Sequence, residues 1–150
     1  MVFLVVKYIH ILSAVVAVGF NVSYAVWIIR ARSNPANMTF ALKGIKFLDD
    51  RIANPAYGVL LLTGILMVIL LPYPITTFWI DVALVLYAVL IVLAIGFYTP
   101  SLRDQIKLAE SGDTTSAEFT RLAQRGQIVG QALGVIVLVI LAMMVFKPHL

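Results

Sequence analysis

Long apolar runs separated by polar segments dominate this chain. Four runs are long enough to cross a bilayer, because about 20 apolar residues span a hydrocarbon core of about 30 Å. They cover residues 2–29, 52–71, 78–98 (closed by Pro100) and 127–146. None alternates polar and apolar residues as a barrel strand would. The pattern therefore predicts an all-α integral membrane protein with four spans, the first a retained span and not a cleaved signal.

The two long connections between these spans are polar. In the first, an amphipathic pattern over Thr39–Arg51 predicts a helix that extends the second span. The third connection contains the turn sequence Ser111-Gly112-Asp113. It is followed by Thr115-x-x-Glu118, which predicts a capping box that opens a long fourth helix. The middle connection, Pro72–Thr77, is short and uncharged. The halves of the chain on either side of it both have the order span, polar connection, span.

Charge indicates how the spans are oriented. Nine of the eleven Lys and Arg residues lie in the first and third connections. Because such residues stay on the cytoplasmic side, we predict an up-down-up-down four-helix bundle with both termini outside and both cationic connections cytoplasmic. The other two are Lys147, at the end of span four, and Lys7, which lies near a helix end from which it can reach the outer interface. The prediction is one transmembrane domain, residues 1–150, in a prokaryotic inner membrane.

Composition supports lipid as the solvent and excludes several kinds of function. The chain is 62% hydrophobic and 12% charged, whereas soluble domains are about 45–50% apolar and about 25% charged. The absence of cysteine excludes disulfides, iron–sulfur clusters and thiolate metal sites. The basic residues flank the spans and so suit anionic headgroups, not nucleic acid. No phosphate loop, zinc motif or nucleophile–base pair supports hydrolytic or phosphoryl chemistry.

His10 is the most informative candidate, because it lies in the first span about 12 Å below its outer end. Ionisable groups at that depth are costly and mark functional pockets. Ser13, Ala17, Asn21 and Tyr24 follow at offsets of 3, 7, 11 and 14, which keeps them on one helix face. Imidazole binds haem iron or another metal, so we predict His10 as ligand, with Ser13, Asn21 and Tyr24 beside the cofactor. The alternative is a structural histidine that hydrogen-bonds across a helix interface.

Two further groups of residues are candidates for binding or assembly. Lys7 and Asp81 lie near the same predicted membrane face and could form an outer polar pocket, although snorkelling and helix capping explain them as well. In the fourth span a small-residue repeat allows close helix contact, either inside the bundle or in a homodimer. Its members are Gly126, Gly130 and Gly134, with Gln131 beside them.

Several short motifs resemble known membrane families. The opening Lys7–Ala14, the stretch from Asn54-Pro55-Ala56 to Thr63-Gly64, and the ending Met144–Pro148 are similar to a family of small four-span predicted integral membrane proteins of unknown function, domain-of-unknown-function family 2269. The Lys-x-x-His opening and the Lys-Pro ending are more distantly similar to haem-associated membrane protoporphyrinogen oxidases and to copper-resistance D-type membrane proteins. In the oxidases a first-helix histidine is implicated in haem binding, which implies haem b on His10. The lysine of a later helix in that family has no counterpart inside spans two to four.

Three functional hypotheses follow. The first is a redox-linked haem b protein with His10 as axial ligand, completed by His10 of a second copy in a homodimer. The second is a non-enzymatic membrane subunit or assembly module in which His10 only packs. The third is a small metal or solute permease. It requires a polar path, and the inner half offers little beyond Thr63, Gln127 and Gln131. The sequence identifies no redox partner.

Overall fold

The computed structural model describes residues 1–71 and 77–148, and all regular structure in these ranges is helical. Four helical segments in these ranges are long and apolar enough to cross a membrane, which confirms the predicted all-α, four-span fold. The chain divides into two compact units, Met1–Pro74 and Ile75–Leu150. The α-helices are α1 (Val2–Arg32), α2 (Met38–Leu48), α3 (Asn54–Leu70), α4 (Phe78–Leu93), α5 (Thr99–Glu110) and α6 (Ala117–Phe146).

In the first unit, α1 packs against α3 and α2 packs along the end of α1. The buried face of α2 carries Met38, Ala41, Leu42 and Ile45, the helical spacing of an amphipathic segment. A wide π-helical turn, Asp49–Ala53, joins α2 to α3 without a break. The predicted helical extension of the second span is therefore confirmed.

Prolines explain both wide turns in the protein. A proline ring inside a helix clashes with the carbonyl four residues earlier and provides no N–H. Pro55 and Pro100 each stand two residues after the end of a π-helical turn, Asp49–Ala53 and Ala94–Tyr98. The extra residue in each turn removes that clash, so the helix continues. The expectation that Pro100 closes the third helix is wrong, because the helix runs on through α5 to Glu110.

In the second unit, α4 and α5 both pack against α6. The predicted turn at Ser111–Asp113 is present, and Gly112 has a φ of 85°, which suits glycine. The N-cap of α6 is Ser116, whose hydroxyl accepts a hydrogen bond from the backbone N–H of Phe119 at 3.0 Å. The predicted cap at Thr115 is therefore off by one residue, because Asp113 accepts the N–H groups of Thr115 and Ser116 and shifts the helix start.

Much of the apolar surface of α6 is exposed, although α4 and α5 pack against part of the helix. Its most apolar window contains no buried residue, and the helix reaches Phe146 as predicted. Lys147 ends it in the left-handed conformation, with its Nζ 5.3 Å from the ring centroid of Trp79. Such a surface has to be covered by lipid or by another apolar helix. The Pro72–Thr77 connection, except Thr77, and His149 lie outside the described residues.

Candidate functional site

Polar side chains of α1 meet polar side chains of α3 and of the turn before it. We call this set the polar seam, and it consists of His10, Asn21 and Tyr24 on α1 with Thr63, Tyr57, Asn54 and Asp49 opposite. The later a residue stands in α1, the earlier its partner stands in the second helix. The two helices therefore run antiparallel, as consecutive spans do.

The predicted stripe on α1 faces α3. Ser13 and Tyr24 are buried, and Ala17 has no exposed surface. His10 and Asn21, two other members of the stripe, are half-buried. Small residues at 13 and 17 let the two helix backbones approach between the hydrogen-bonded pairs.

At one end of the seam, His10 contacts α3 through a defined ring edge. Its Nδ1 lies 3.0 Å from Oγ1 of Thr63. The Thr63 hydroxyl also lies 2.7 Å from the carbonyl oxygen of Val59, the usual acceptor for a threonine inside a helix. The carbonyl oxygen of Leu60 lies 3.1 Å from the same hydroxyl. With the one hydroxyl hydrogen on either of these carbonyl groups, the Thr63 oxygen accepts the Nδ1–H of His10. This arrangement leaves the lone pair of the imidazole on Nε2.

Gly64 makes room for the imidazole. A Cβ at this position would lie 3.2 Å from Cε1 and 3.7 Å from Nδ1 of His10. The first distance is tighter than ordinary van der Waals contact, so a side chain here would displace the ring by a few tenths of an ångström. Thr63 therefore holds the imidazole of His10 by a hydrogen bond, and Gly64 leaves the space that the ring occupies.

The middle of the seam is a side-chain pair between Asn21 and Tyr57. The amide nitrogen of Asn21 donates a hydrogen bond to the phenolic oxygen of Tyr57. In hydrocarbon such pairs satisfy polar groups that water cannot reach. The pair therefore holds α1 against α3.

The other end of the seam surrounds Asp49, which precedes the apolar part of the second span. Its carboxylate accepts hydrogen bonds from the hydroxyl of Tyr24 at 3.4 Å and from the amide of Asn54 at 3.2 Å. Burial raises the pKa of Asp49, and the hydrogen bond from Asn54 opposes the rise. The neighbouring Asp50 instead pairs with Lys46 on the surface.

The sequence alone did not identify Asp49, Tyr57 or Gly64 as parts of this site. Tyr57 and Gly64 are seven residues apart and so share a helix face, but Leu60 and Leu61 between them on that face are apolar, so no polar stripe marks it. The spacing of the site residues carries a signal only after α1 and α3 are aligned antiparallel. In that alignment, His10 lies opposite Thr63 and Asn21 lies opposite Tyr57.

The described residues contain no group of three or more His, Cys, Asp or Glu side chains that could hold a metal ion. His10 is the only histidine among them. Among the described residues, a site that uses His10 as ligand therefore has a single imidazole. Haem iron, which needs only axial ligands from protein, suits such a donor better than a bare metal ion does.

Lys7 and Asp81, the predicted outer pocket, belong to different compact units. Both side chains are exposed. Their ion pair stays a prediction.

The small residues of α6 make little close contact. A Cβ at Gly130 would lie 3.7 Å from the ring of Tyr98, and one at Gly126 or Gly134 would meet nothing within 4 Å. Gln131 is exposed. Close packing within the chain therefore uses Gly130 at most, and the homodimer alternative stays a prediction.

Comparison with known proteins gives the chain a family. No curated protein and no solved structure matches it, so the similarity to the haem and copper families stays a prediction. Residues 4–148 match the family model described as a predicted integral membrane protein, DUF2269. The four apolar helices agree with that description. The chain therefore belongs to the DUF2269 family and is a multi-pass integral membrane protein.

Proposed function

We propose that this protein binds haem b, with Nε2 of His10 as an axial ligand, and that it takes part in electron transfer. The observation that carries the proposal is the contact, at 3.0 Å, of Oγ1 of Thr63 with Nδ1 of His10. Thr63 accepts the Nδ1–H because its own hydroxyl donates to the carbonyl group of Val59 or Leu60. Histidines that ligate metals almost always donate their other ring N–H in this way, which fixes the tautomer and the ring orientation.

The residues around His10 fit an axial ligand. Gly64 admits the ring and Thr63 orients it. When bound, haem b supplies reversible one-electron chemistry. The described residues contain no second histidine, so a second histidine ligand would have to come from another chain. We propose His10 of a second copy, which gives one haem per homodimer.

Asn21 and Tyr24, expected beside the cofactor, have a different role in this proposal. They lie about 16 Å and about 21 Å along α1 from His10 by helical rise. Their partners are Tyr57 and Asp49. They position α1 against α3, whereas Ser13, one turn from His10, remains a candidate for haem contact.

The test is haem binding by the full-length protein in detergent. Added hemin is titrated into wild type, His10→Ala, Thr63→Val and Thr120→Val, and the Soret band is followed. We expect no specific band for His10→Ala and about tenfold weaker binding for Thr63→Val, the usual effect of removing a ligand's hydrogen-bond partner. Thr120→Val is the control, because the Thr120 hydroxyl bonds only within its own helix. Equal binding by all four proteins would refute the assignment.

A second function is favoured by the polar seam itself. Three of its four pairs join α1 to α3 or to the turn before it, as in a membrane subunit whose polar residues serve assembly. In that case the protein is colourless and does not bind hemin, and His10→Ala only lowers its stability. No observation favours a permease, since Ser13 and Ala17 separate His10 from Asn21 along the seam.

We also propose that both long connections face the cytoplasm of a prokaryotic cell. The chain lacks cysteine, so single-cysteine variants report orientation directly. Ser33→Cys and Ser111→Cys should be labelled by a membrane-impermeant maleimide only after the cells are opened. Thr77→Cys should be labelled in intact cells, and the reverse pattern would overturn the orientation.

A further inference from the structure

A groove lies at the end of α1 where the apolar span gives way to arginines. It has a volume of about 410 Å³ and opens between the last turns of α1 and the start of α2. One part of its lining is apolar and aromatic, and the other part is polar. Its lining includes Val26, Trp27 and Phe40 on the apolar side and Arg30 and Asn37 on the polar side.

The aromatic wall of the groove is held in place. The indole of Trp27 packs over Gly44, where a Cβ would lie 3.5 Å from the ring. On another side, Trp27 and Phe40 form a tilted pair with centroids 6.0 Å apart. Phe40 is 71% exposed, although it is a large apolar side chain. The wall therefore presents apolar surface that the described part of the chain leaves uncovered.

The polar part of the groove carries positive charge. Arg30 is exposed and has no hydrogen-bond or ion-pair partner among the described residues. Residues 30–51 contain five Lys and Arg and only two carboxylates. Of these two, Asp50 pairs with Lys46, and Asp49 is buried with Tyr24 and Asn54. The Arg30 guanidinium is thus available for an anion from outside the chain.

The groove also lies at the depth of lipid headgroups. Arg30 stands 23 residues after Lys7, which is about 34 Å along a helix and close to the thickness of a bilayer core. With Lys7 at one interface, Arg30 reaches the other. On α2, the side chains of Phe40, Lys43 and Phe47 are exposed at helical spacing, the pattern of a helix that lies in the interface.

We propose that this groove binds one anionic phospholipid, with the phosphodiester at Arg30 and Asn37 and the start of an acyl chain along Val26, Trp27 and Phe40. Charge complementarity selects the anionic headgroup, since an unpaired guanidinium binds phosphate oxygens in a bidentate manner. The apolar wall selects an amphiphile over free phosphate. This site lies apart from His10 and does not depend on haem.

Trp27 makes a direct test possible. The chain has two tryptophans, so in a Trp79→Phe background the tryptophan fluorescence, excited selectively over that of tyrosine, comes from Trp27 alone. Brominated phosphatidylglycerol or brominated phosphatidylcholine is added to the full-length protein in mixed micelles, and bromine quenching reports lipid in the groove. We expect quenching at lower mole fraction with phosphatidylglycerol, and no competition by inorganic phosphate.

Two variants and a control identify the contacts. Arg30→Gln should weaken the phosphatidylglycerol effect about fivefold, the usual contribution of one basic residue at an anionic surface. Arg103→Gln is the control, because Arg103 is exposed in the other cationic connection and should leave quenching unchanged. Phe40→Ala removes an exposed ring and should weaken quenching by both lipids.

Three results would overturn the proposal. Equal losses in Arg30→Gln and Arg103→Gln would show attraction to surface charge in general. Equal quenching by both brominated lipids would show no selection of the headgroup. Displacement of phosphatidylglycerol by inorganic phosphate would show an anion site without the acyl chain.

Discussion

The contact between Gly64 and His10 leads to a quantitative prediction about two glycines of the same helix. Gly58 and Gly64 both lie inside α3, where replacing glycine by alanine stabilises a helix by about 0.8–1.0 kcal/mol. A Cβ at Gly58 meets nothing within 4 Å, whereas a Cβ at Gly64 lies 3.2 Å from Cε1 of His10. Both substitutions therefore gain the same helix propensity, but only Gly64→Ala introduces a close contact with His10.

The difference in stability between Gly64→Ala and Gly58→Ala can be estimated from the hydrogen bond between His10 and Thr63. To relieve the contact, the imidazole has to move by a few tenths of an ångström. The bond from Nδ1 to Thr63 starts at 3.0 Å, and the usual N–H···O range ends at about 3.2 Å. Side-chain hydrogen bonds between membrane helices contribute about 0.6 kcal/mol on average and about 1.7 kcal/mol at most. Gly64→Ala should thus be less stable than Gly58→Ala by about 0.6–1.7 kcal/mol.

The free energy of unfolding can be measured by titrating the purified protein with SDS in mixed micelles while circular dichroism follows the helix. Both variants should also be made in the His10→Ala background, where the penalty at Gly64 should disappear. If Gly64→Ala equals or exceeds Gly58→Ala in stability with His10 present, the ring is not held against α3, and the tautomer argument fails with it.

Three more predictions test other parts of the structure. A double-mutant cycle of Asn21→Ala and Tyr57→Phe should give a coupling of about 0.6 kcal/mol in SDS unfolding, and a value near zero would contradict their hydrogen bond. Ser116→Ala should lower stability by about 1 kcal/mol as the loss of a helix cap, whereas Thr115→Ala, whose side chain caps nothing, should have little effect; the opposite order would restore the cap predicted from the sequence. Because burial raises the pKa of Asp49, stability should fall as pH rises from about 3.9, the ordinary aspartate value, through the folded-state pKa. Asp49→Asn should flatten that dependence in thermal melts, and an unchanged pH profile would contradict it.

Much of the fold was predictable because lipid imposes a simple rule. A span of about 20 apolar residues has few alternatives to a helix, so the four spans follow from hydropathy alone. Pro100 shows the limit of such rules. A proline ends some helices and is accommodated by a wide turn in others, and the packing of α4 and α5 against α6 favours continuation here.

The candidate site was predictable on one helix only. The period of α1 placed His10, Asn21 and Tyr24 on one face, and that face does meet α3. Their partners depend on the register between two helices, which no local pattern specifies. The cap of α6 was missed for a related reason, since Thr115 and Ser116 are adjacent hydroxyl residues and Asp113 decides between them.

The most direct test of the proposed function is the absorption spectrum of the purified full-length protein, as isolated and after reduction with dithionite, beside His10→Ala. The account predicts a Soret band that shifts on reduction, with about one haem for two chains, and no such band in His10→Ala. A wild-type protein that is colourless and remains so after hemin is added would contradict it, and the polar seam would then serve assembly alone.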